Sequence, residues 1–442
     1  MIYNRKLGRL EQAMEILNSR AKTWNIVTIS RINGYINEET MTQALEMIQC
    51  RHPRLNSRIV RSRNSLSFQT QETANIPLRL VKVLASDEWQ EVVCQEMNEG
   101  IDSSKSLLRV VIVHVLGDEQ INYLITTVHH AIADGLSCIK LHSEILTFCQ
   151  KIVSNEPINS VTSLTPLPPI EELMPQWTKG FRGRINSTIF LLKLGLQEIW
   201  NRPKSLGFEK YVSIAKRHSN IIHRQLNQEL TQKFVNSCRQ ENTTVHNALC
   251  AAMMLTVART ITKGQKKDIQ VNCLSYLDLR RHLEPEISDE HLAILASSIM
   301  GFHLIKSNYS FWELAREVEQ KLEASKKQGD LFRMVLIAKD LIDICCIYPK
   351  KIAATVSVSN VGKINIPKNY GKLELEEISF ISSNAFFAGV FAIHVSTFKG
   401  KMLLNVAFSQ PSISCNTMEH IVNNFMSYIF DVCNLNCDSC LN

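Results

Sequence analysis

Two adjacent histidines stand shortly before an acidic residue and a glycine in the segment INYLITTVHHAIADGLSCIKLH, residues 121–142. The unperturbed pKa of an imidazole is about 6.5, so the neutral ring accepts a proton readily near neutral pH, and histidine is the commonest general base. One such base is enough when the other substrate is already activated, as a thioester is. It deprotonates a hydroxyl or an amine, which then attacks the carbonyl directly. The sequence contains no G-x-S-x-G, G-x-x-x-x-G-K-[ST], G-x-G-x-x-G or H-E-x-x-H motif, so it offers no other reaction centre.

The β-branched run before the histidines predicts a strand that ends at His129 and His130, and a helical pattern follows Gly135. We expect Gly135 to supply the backbone freedom of the connecting turn. Adjacent strand residues point to opposite faces, so one histidine is expected to be the reagent and the other a buried, hydrogen-bonded support. A buried Asp134 needs a cationic partner, because removing one member of a buried ion pair costs on the order of 3–5 kcal/mol. An arginine from the other lobe would pair with it and lock the lobes together.

A metal site is the rival chemical interpretation, with His129, His130 and Asp134 as ligands. Neighbours that face opposite ways share an ion poorly, and no further histidine or carboxylate lies nearby in the sequence to complete the site. We therefore favour a site without a metal.

The composition is that of an ordinary globular protein. The 442 residues carry a net charge of +7, and 45% are hydrophobic and 21% charged. The basic residues are scattered among the acids, which favours anionic ligands weakly and argues against nucleic acid. Thirteen cysteines without regular spacing indicate a reducing compartment, and the start of the chain lacks a secretion signal, so we expect a cytoplasmic protein.

The C-terminal segment CNLNCDSC has the three-thiolate spacing of the iron-sulfur enzymes that cleave adenosylmethionine. Its thiolates are those of Cys433, Cys437 and Cys440. Three thiolates leave a tetrahedral site one ligand short, so we do not favour a cluster or a metal there.

The most apolar segment is INSTIFLLKLGLQEIW, residues 185–200, and its polar residues interrupt it too often for a membrane span. We favour an amphipathic helix whose apolar stripe faces the core. The alternative is a helix that lies on a membrane surface, which would be a peripheral membrane contact.

Strand and helix patterns alternate along the whole chain, which predicts an α/β fold of two lobes without a tandem repeat. Residues 153–176 hold five prolines and many small polar residues, which is typical of a linker. We expect an N-terminal lobe over 1–160, a linker over 161–176 and a C-terminal lobe over 177–442.

Two helix starts have capping signals. Asn37 is the expected cap of a helix that Pro53 stops, and Asn416 with Glu419 has capping-box spacing at the last helix.

HHAIADG, residues 129–135, matches the H-H-x-x-x-D-G motif of the condensation-domain and CoA-dependent acyltransferase superfamily, which the chain resembles. Four further elements follow the order of that family: RHPRLNSRIV (51–60), LLRVVIVHV (107–115), YLDLRRHL (276–283) and SVSNVGKI (357–364). The resemblance spans residues 7–430 and lacks the D-F-G-W-G element of the plant branch. The chain looks most like bacterial stand-alone acyltransferases of the phthiocerol dimycocerosyl transferase type, and peptide-synthetase condensation domains are the next nearest.

The resemblance implies a chloramphenicol acetyltransferase-like α/β fold, with two lobes, each a mixed sheet with flanking helices, and an active-site tunnel between them. It implies that His130 is the general base and that His129 is structural. Asp134 would be a structural acid paired with Arg280, and Gly135 would allow the tight turn. The residues that would help to hold the thioester oxyanion are Ser357, Ser359 or Asn360.

The resemblance also implies acyl transfer from acyl-CoA, or from the phosphopantetheine thioester of an acyl carrier protein, to an alcohol or amine. It implies no bound cofactor and no covalent acyl-enzyme. We expect a monomer that transfers the acyl group to oxygen more readily than to nitrogen. Two alternatives stay open: a stand-alone condensation enzyme that forms an amide, and a non-catalytic two-lobed binding or scaffold protein.

Overall fold

The structure is a computed structural model that describes residues 4–22, 24–63, 65–70, 73–118, 120–157 and 160–433. Contacts divide the chain into two compact units. The first unit consists of Met1–Pro175, Leu279–Ala296 and Lys363–Ser383, and the second of Gln176–Asp278, Ser297–Gly362 and Asn384–Asn442. We expected Leu279–Ala296 and Lys363–Ser383 to belong to the C-terminal lobe, whereas their contacts place them in the first unit.

Strands and helices interleave from the start of the chain. Up to Leu173 they are β1 (Arg5–Lys6), α1 (Arg9–Ala21), β2 (Ile26–Asn33), α2 (Glu38–Arg51), β3 (Arg58–Arg61), β4 (Leu66–Gln69), β5 (Leu78–Val83), α3 (Trp89–Asn98), β6 (Leu108–Val115), β7 (Ile121–Val128), α4 (Gly135–Val153) and α5 (Ile170–Leu173).

The later elements continue this alternation. They are α6 (Gly180–Asn201), β8 (His218–Leu226), α7 (Gln228–Gln240), α8 (Val245–Thr262), β9 (Ile269–Asp278), β10 (Ala296–Ile305), α9 (Phe311–Gln328), α10 (Asp330–Ile347), β11 (Val356–Lys363), β12 (Asn369–Tyr370), β13 (Leu373–Ser382), β14 (Phe391–Phe398), β15 (Lys401–Gln410) and α11 (Cys415–Val432). Of these, β12 and β13 belong to the first unit.

Each unit is built on a six-stranded mixed sheet. In the first unit the strand order is β12-β13-β2-β7-β6-β5, with β5 and β6 parallel and the other neighbours antiparallel. In the second unit the order is β10-β9-β11-β14-β15-β8, with β9 and β11 parallel. A small antiparallel sheet, β1-β4-β3, completes the first unit. The predicted α/β fold with two mixed sheets and flanking helices is confirmed.

Strand β7 lies in the middle of the first sheet, and every one of its residues is buried. Thr126 Oγ1 lies 2.7 Å from His142 Nε2 of α4, whereas Thr127 donates a hydrogen bond to Glu96 of α3. Because adjacent strand residues face opposite sides, α3 and α4 cover opposite faces of the sheet. The strand is therefore enclosed on both faces up to the point where the histidine motif begins.

The last helix, α11, begins before the predicted cap. Ser414 has an extended backbone, and its hydroxyl accepts a hydrogen bond from Thr417 N–H at 3.3 Å. The prediction of Asn416 with Glu419 as the capping pair is wrong, because the Ser414 side chain caps the N–H of Thr417 and Asn416 already lies within the helix.

Helix α6 contains residues 185–200, whose apolar stripe we expected to face the core. That expectation is wrong, because Leu196 is 67% exposed and Trp200 is 87% exposed. A different side of the helix packs inward, where Phe190 contacts Met334 of α10. Within the described part of the chain, no helix has the length and apolarity that crossing a membrane requires.

The buried His142 gives the first unit a specific sensitivity to acid. Its Nδ1 lies 2.8 Å from Ser30 Oγ and its Nε2 lies 2.7 Å from Thr126 Oγ1. Burial lowers the pKa of His142 from 6.5 to about 3. Between these values the unfolded chain binds a proton that the folded chain does not, so the free energy of unfolding should decrease as the pH falls below 6.5.

His142→Gln should reduce this pH dependence by up to about 1.4 kcal/mol per pH unit, as measured by urea unfolding at a series of acidic pH values. Above pH 6.5, where His142 is neutral in both the folded and the unfolded chain, the variant and the wild type should have the same pH dependence. A wild-type slope in His142→Gln would contradict the assignment.

Candidate active site

The loop after β7 carries the histidine motif from the end of the strand to the start of α4. His129 N–H donates to the carbonyl of Leu107 at 2.9 Å, which holds the loop against the residue before β6. Ile132 N–H donates to the carbonyl of His129 at 3.0 Å and closes the turn. The backbone that positions both imidazoles is thus hydrogen-bonded on both sides of the motif.

His129 is fully buried, and both of its ring nitrogens are occupied. Nδ1 accepts a hydrogen bond from Ala131 N–H at 3.0 Å, so in the neutral ring the proton is on Nε2. Nε2 lies 3.0 Å from Glu15 Oε2 of α1 and donates to it. With no lone pair left over, His129 supports the loop and cannot accept a proton from a substrate in this arrangement.

His130 has the opposite arrangement. Its Nδ1 lies 2.7 Å from the carbonyl oxygen of Ala133, and because a carbonyl only accepts, the ring proton is on Nδ1. This leaves the lone pair on Nε2, for which the described residues provide no hydrogen-bond donor. Burial lowers the pKa of His130, and the Ala133 carbonyl and the charge of Asp134 counteract only part of this effect. The imidazole is therefore neutral and able to accept a proton at neutral pH.

Trp24 lies beside His130, with ring centroids 6.0 Å apart and the planes tilted by 46°. Its backbone has a φ of +63°, a left-handed conformation that is unusual for a bulky side chain. The N–H of Trp24 donates to the carbonyl of Ser383 at 3.0 Å, just after β13. Strained backbone of this kind persists where the surroundings impose it, and such residues cluster at functional sites.

Asp134 and Arg280 form a buried, two-pronged ion pair. Arg280 Nη1 lies 2.9 Å from Asp134 Oδ2, and Nη2 lies 3.0 Å from Oδ1. The carboxylate also accepts hydrogen bonds from Ser137 N–H and from Leu295 N–H, both at 2.9 Å. Burial alone would raise the pKa of Asp134, but the Arg280 charge and these hydrogen bonds outweigh it and hold the pKa below its ordinary value. The carboxylate is thus fully engaged away from His130.

The predicted pairing of Asp134 with Arg280 is present, but the expectation that it joins two lobes is wrong. Arg280 lies in the segment Leu279–Ala296, whose contacts place it in the first unit together with Asp134. Backbone hydrogen bonds explain this assignment, since Glu284 N–H donates to the carbonyl of Leu173 and Leu295 N–H to the Asp134 carboxylate. The ion pair therefore stabilises the first unit internally.

Gly135 is required for space and not for backbone freedom. It is the first residue of α4 and does not have a positive φ. A Cβ atom at this position would lie 2.7 Å from the ring of Phe380 on β13. The sequence-based expectation about its conformation is therefore wrong, and close approach of an aromatic ring is the physical reason for glycine here.

The three candidates for the oxyanion lie on β11 in the second unit, and the histidine motif lies in the first. Ser357 and Ser359 are two residues apart on the strand and share a face, whereas Asn360 points to the other face. Tyr276 on the neighbouring strand β9 forms a side-chain hydrogen bond with Ser357. Asn360 Oδ1 accepts a hydrogen bond from Gly362 N–H at 2.9 Å, so its carbonyl oxygen serves its own turn.

The candidate metal ligands form no metal-binding cluster among the residues that the structure describes. Among the described residues, no group of three or more histidine, cysteine, aspartate or glutamate side chains is arranged to hold a metal ion. Cys433 is buried at the end of α11, and Cys437 and Cys440 lie outside the described residues.

Sequence reasoning missed three residues that hold the motif. Glu15 and Trp24 come from distant parts of the chain, and nothing in their local sequence connects them to the histidines. Ser137 had a usable signal, because Asp134 and Ser137 have the spacing of a capping pair. The Ser137 hydroxyl contacts Asp134 Oδ1 at 2.8 Å and accepts from Arg280 Nη2 at 2.8 Å.

Two family models match successive parts of the chain. The condensation domain model matches residues 12–164, which include the histidine motif. The model of the phthiocerol/phthiodiolone dimycocerosyl transferase C-terminus matches residues 216–407. Over these two ranges the chain is similar to the condensation-domain acyltransferase superfamily. The predicted resemblance is thus confirmed, and it supports acyl transfer as the general class of reaction.

A curated relative is the protein named "Probable alcohol acetyltransferase FCK4" of Fusarium pseudograminearum. It is 23% identical over 322 residues. The match covers 67% of this chain and spans 64% of the length of that relative.

Solved structures share the condensation-domain fold over nearly the whole chain. The trichothecene 15-O-acetyltransferase TRI3 of Fusarium sporotrichioides has a TM-score of 0.76 at 10% identity and covers 98% of this chain and 96% of its own. The first condensation domain of the calcium-dependent antibiotic synthetase has a TM-score of 0.73 at 12% identity, with 99% of both chains covered. Polyketide synthase associated protein 5 of Mycobacterium tuberculosis has a TM-score of 0.69 at 16% identity and covers 97% of this chain and 98% of its own.

Arg280→Ala should destabilise the first unit by on the order of 3–5 kcal/mol, because it leaves the Asp134 carboxylate buried without its counter-charge. Urea unfolding, followed by circular dichroism, measures the loss. In a double-mutant cycle, Asp134→Ala with Arg280→Ala should cost less than the sum of the two single changes. Additive losses would show that the two side chains do not stabilise each other.

Gly135→Ala should destabilise the chain by about 1–3 kcal/mol through the clash with Phe380, although alanine favours helices. Gly195→Ala in α6 is the matched control, since no atom lies within 4 Å of its added Cβ, and it should be neutral or stabilising. Thermal unfolding of Gly135→Ala, Gly195→Ala and the wild type compares their stabilities. Phe380→Leu should restore stability to Gly135→Ala, and failure of this rescue would contradict the steric explanation.

Proposed function

We propose that this protein is an acyltransferase that moves an acyl group from a thioester to a hydroxyl group, with His130 as the general base. The orientation of the His130 ring carries the proposal. The hydrogen bond from Nδ1 to the Ala133 carbonyl leaves the Nε2 lone pair available, and residue His130 is partly exposed while His129 beside it is fully buried.

In the proposed reaction, Nε2 of His130 takes the proton of the acceptor hydroxyl while the hydroxyl oxygen attacks the thioester carbonyl carbon. The tetrahedral intermediate then collapses, the carbon–sulfur bond breaks, and the thiolate receives the proton from Nε2. The Ala133 carbonyl stabilises the imidazolium that exists between these steps through its hydrogen bond with Nδ1–H. No protein nucleophile is acylated.

A developing oxyanion needs hydrogen-bond donors. Ser357 and Ser359 are the candidates we retain, because their hydroxyl groups share one face of β11. Asn360 is a weaker candidate, since its side chain points to the other face of the strand.

The donor in this proposal is acyl-CoA or the thioester of an acyl carrier protein, and the acceptor is an alcohol. The names of two related proteins, an alcohol acetyltransferase and a 15-O-acetyltransferase, support transfer to oxygen. Amide formation is the alternative, because condensation domains of peptide synthetases have the same fold.

His130→Gln should lower kcat/KM for acyl transfer by about 10²–10⁴-fold, because it removes the general base and keeps a polar side chain of similar reach. Intact-mass and product analysis with acyl-CoA or acylated carrier protein, and with alcohol or amine acceptors, measures the transfer. Circular dichroism should be unchanged. His420→Gln, on an exposed helix surface, should retain full activity.

The pH profile of kcat/KM adds an independent check. Burial lowers the pKa of His130, so the base should be deprotonated at neutral pH and activity should fall only as the pH drops below 6.5. Full activity of His130→Gln would refute the base assignment. An absence of transfer by the wild-type chain with every donor and acceptor would favour a non-catalytic binding protein.

A further inference from the structure

Helix α6 exposes a continuous apolar stripe. The 22-residue helix packs one side against α10, where Phe190 is buried with Met334 and Ile337. Seven large apolar side chains on another side are exposed. They are Phe181, Ile185, Ile189, Leu192, Leu196, Ile199 and Trp200, with exposures of 78%, 43%, 57%, 64%, 67%, 67% and 87%. We call these seven residues the α6 stripe.

The spacing aligns the members of the α6 stripe along the helix. They follow one another at intervals of three or four residues, apart from the adjacent pair Ile199 and Trp200. At about 100° per residue, they occupy an arc of about 100°, and Phe190 projects from outside this arc. The stripe runs for nearly the full helix, whose 22 residues span about 33 Å.

Basic side chains border the α6 stripe. Between residues 180 and 204, five exposed residues are basic: Arg182, Arg184, Lys193, Arg202 and Lys204. The only acidic residue in this part of the sequence is Glu198, whose side chain is half-buried. Its carboxylate lies near Asn272 and Lys351 on the packed side. The exposed surface is therefore apolar at its centre and positively charged at its edges.

We propose that the α6 stripe binds the surface of an anionic phospholipid bilayer, with the helix parallel to the membrane plane. A helix with leucine, isoleucine, phenylalanine and tryptophan on one face and lysine and arginine beside it has the composition of an interfacial helix. The apolar side chains enter the headgroup boundary, and the basic side chains pair with lipid phosphates. The tryptophan near the helix end suits the interface, where an amphipathic ring is most stable.

The charge distribution distinguishes a lipid surface from a second copy of the chain. Two stripes packed face to face would bring the basic borders of both copies together, and the 180–204 region offers no exposed acidic residue to neutralise them. A bilayer with anionic lipids supplies both the apolar medium and the opposite charge. This inference does not depend on the proposed acyl transfer.

The test is sedimentation of the full chain with vesicles. Vesicles of phosphatidylcholine mixed with phosphatidylserine should retain the wild-type protein, and vesicles of phosphatidylcholine alone should retain less. Leu192→Asn with Leu196→Asn should weaken binding by about tenfold or more, because two apolar side chains no longer enter the boundary. Leu84→Asn is the matched control, since Leu84 is an equally exposed leucine in the first unit and should leave binding unchanged.

Substitutions of the basic residues test the electrostatic contribution to membrane binding. Arg182→Gln with Lys193→Gln should weaken binding to the mixed vesicles and reduce its salt dependence. Acyl transfer to a water-soluble alcohol should be unaffected by any of these changes, so loss of membrane binding and loss of catalysis are measured separately.

Three outcomes would overturn the proposal. The first is wild-type protein that does not sediment with the mixed vesicles. The second is binding that Leu192→Asn with Leu196→Asn leaves unchanged. The third is a concentration-dependent dimer, seen by size-exclusion chromatography with light scattering, that this double variant dissociates while vesicle binding is absent. That result would make the stripe an interface between copies.

Discussion

The candidate site depends on the interactions of one buried group, the carboxylate of Asp134. It caps α4, pairs with both terminal nitrogens of Arg280 and accepts the N–H of Leu295. An unpaired carboxylate could not remain in this position, so the start of α4 and the segment that carries Arg280 must be placed together. The loop between β7 and α4 is short, and fixing its far end fixes the two histidines as well.

Within that loop, two neighbouring imidazoles acquire different chemistry from their hydrogen-bond partners alone. His129 receives an N–H on Nδ1 and donates from Nε2, whereas His130 donates from Nδ1 to a carbonyl. The tautomer of each ring follows from the partner that faces Nδ1. Because both residues are histidines, the difference comes from their surroundings, and it explains why only His130 has a lone pair available to accept a proton.

Much of this arrangement follows from local pattern. The end of β7, the cap at Asn37, which accepts from Thr40 N–H, and the stop before Pro53 were all predictable, because each depends on residues within one turn or strand. The pairing of Asp134 with Arg280 came from family resemblance.

Other features depend on contacts that no local pattern encodes. Glu15 reaches His129 across 114 residues of sequence, and the steric role of Gly135 depends on Phe380 of a strand that arrives much later. The orientation of α6 was misjudged because periodicity gives the angle between side chains and not the direction in which a stripe faces. A helix with apolar residues on two sides can turn either one inward.

The division of the chain has a consequence for its synthesis. The first sheet needs β13 between β12 and β2, and the Asp134 carboxylate needs Arg280, yet both come after the whole α6–β9 part of the second unit. An N-terminal fragment that stops in the proline-rich segment therefore lacks two strands of the first sheet, β12 and β13, and the counter-charge of its buried acid. On the ribosome, the first unit cannot reach its final structure until Ser382 has emerged, and by then most of the second unit has already been synthesised.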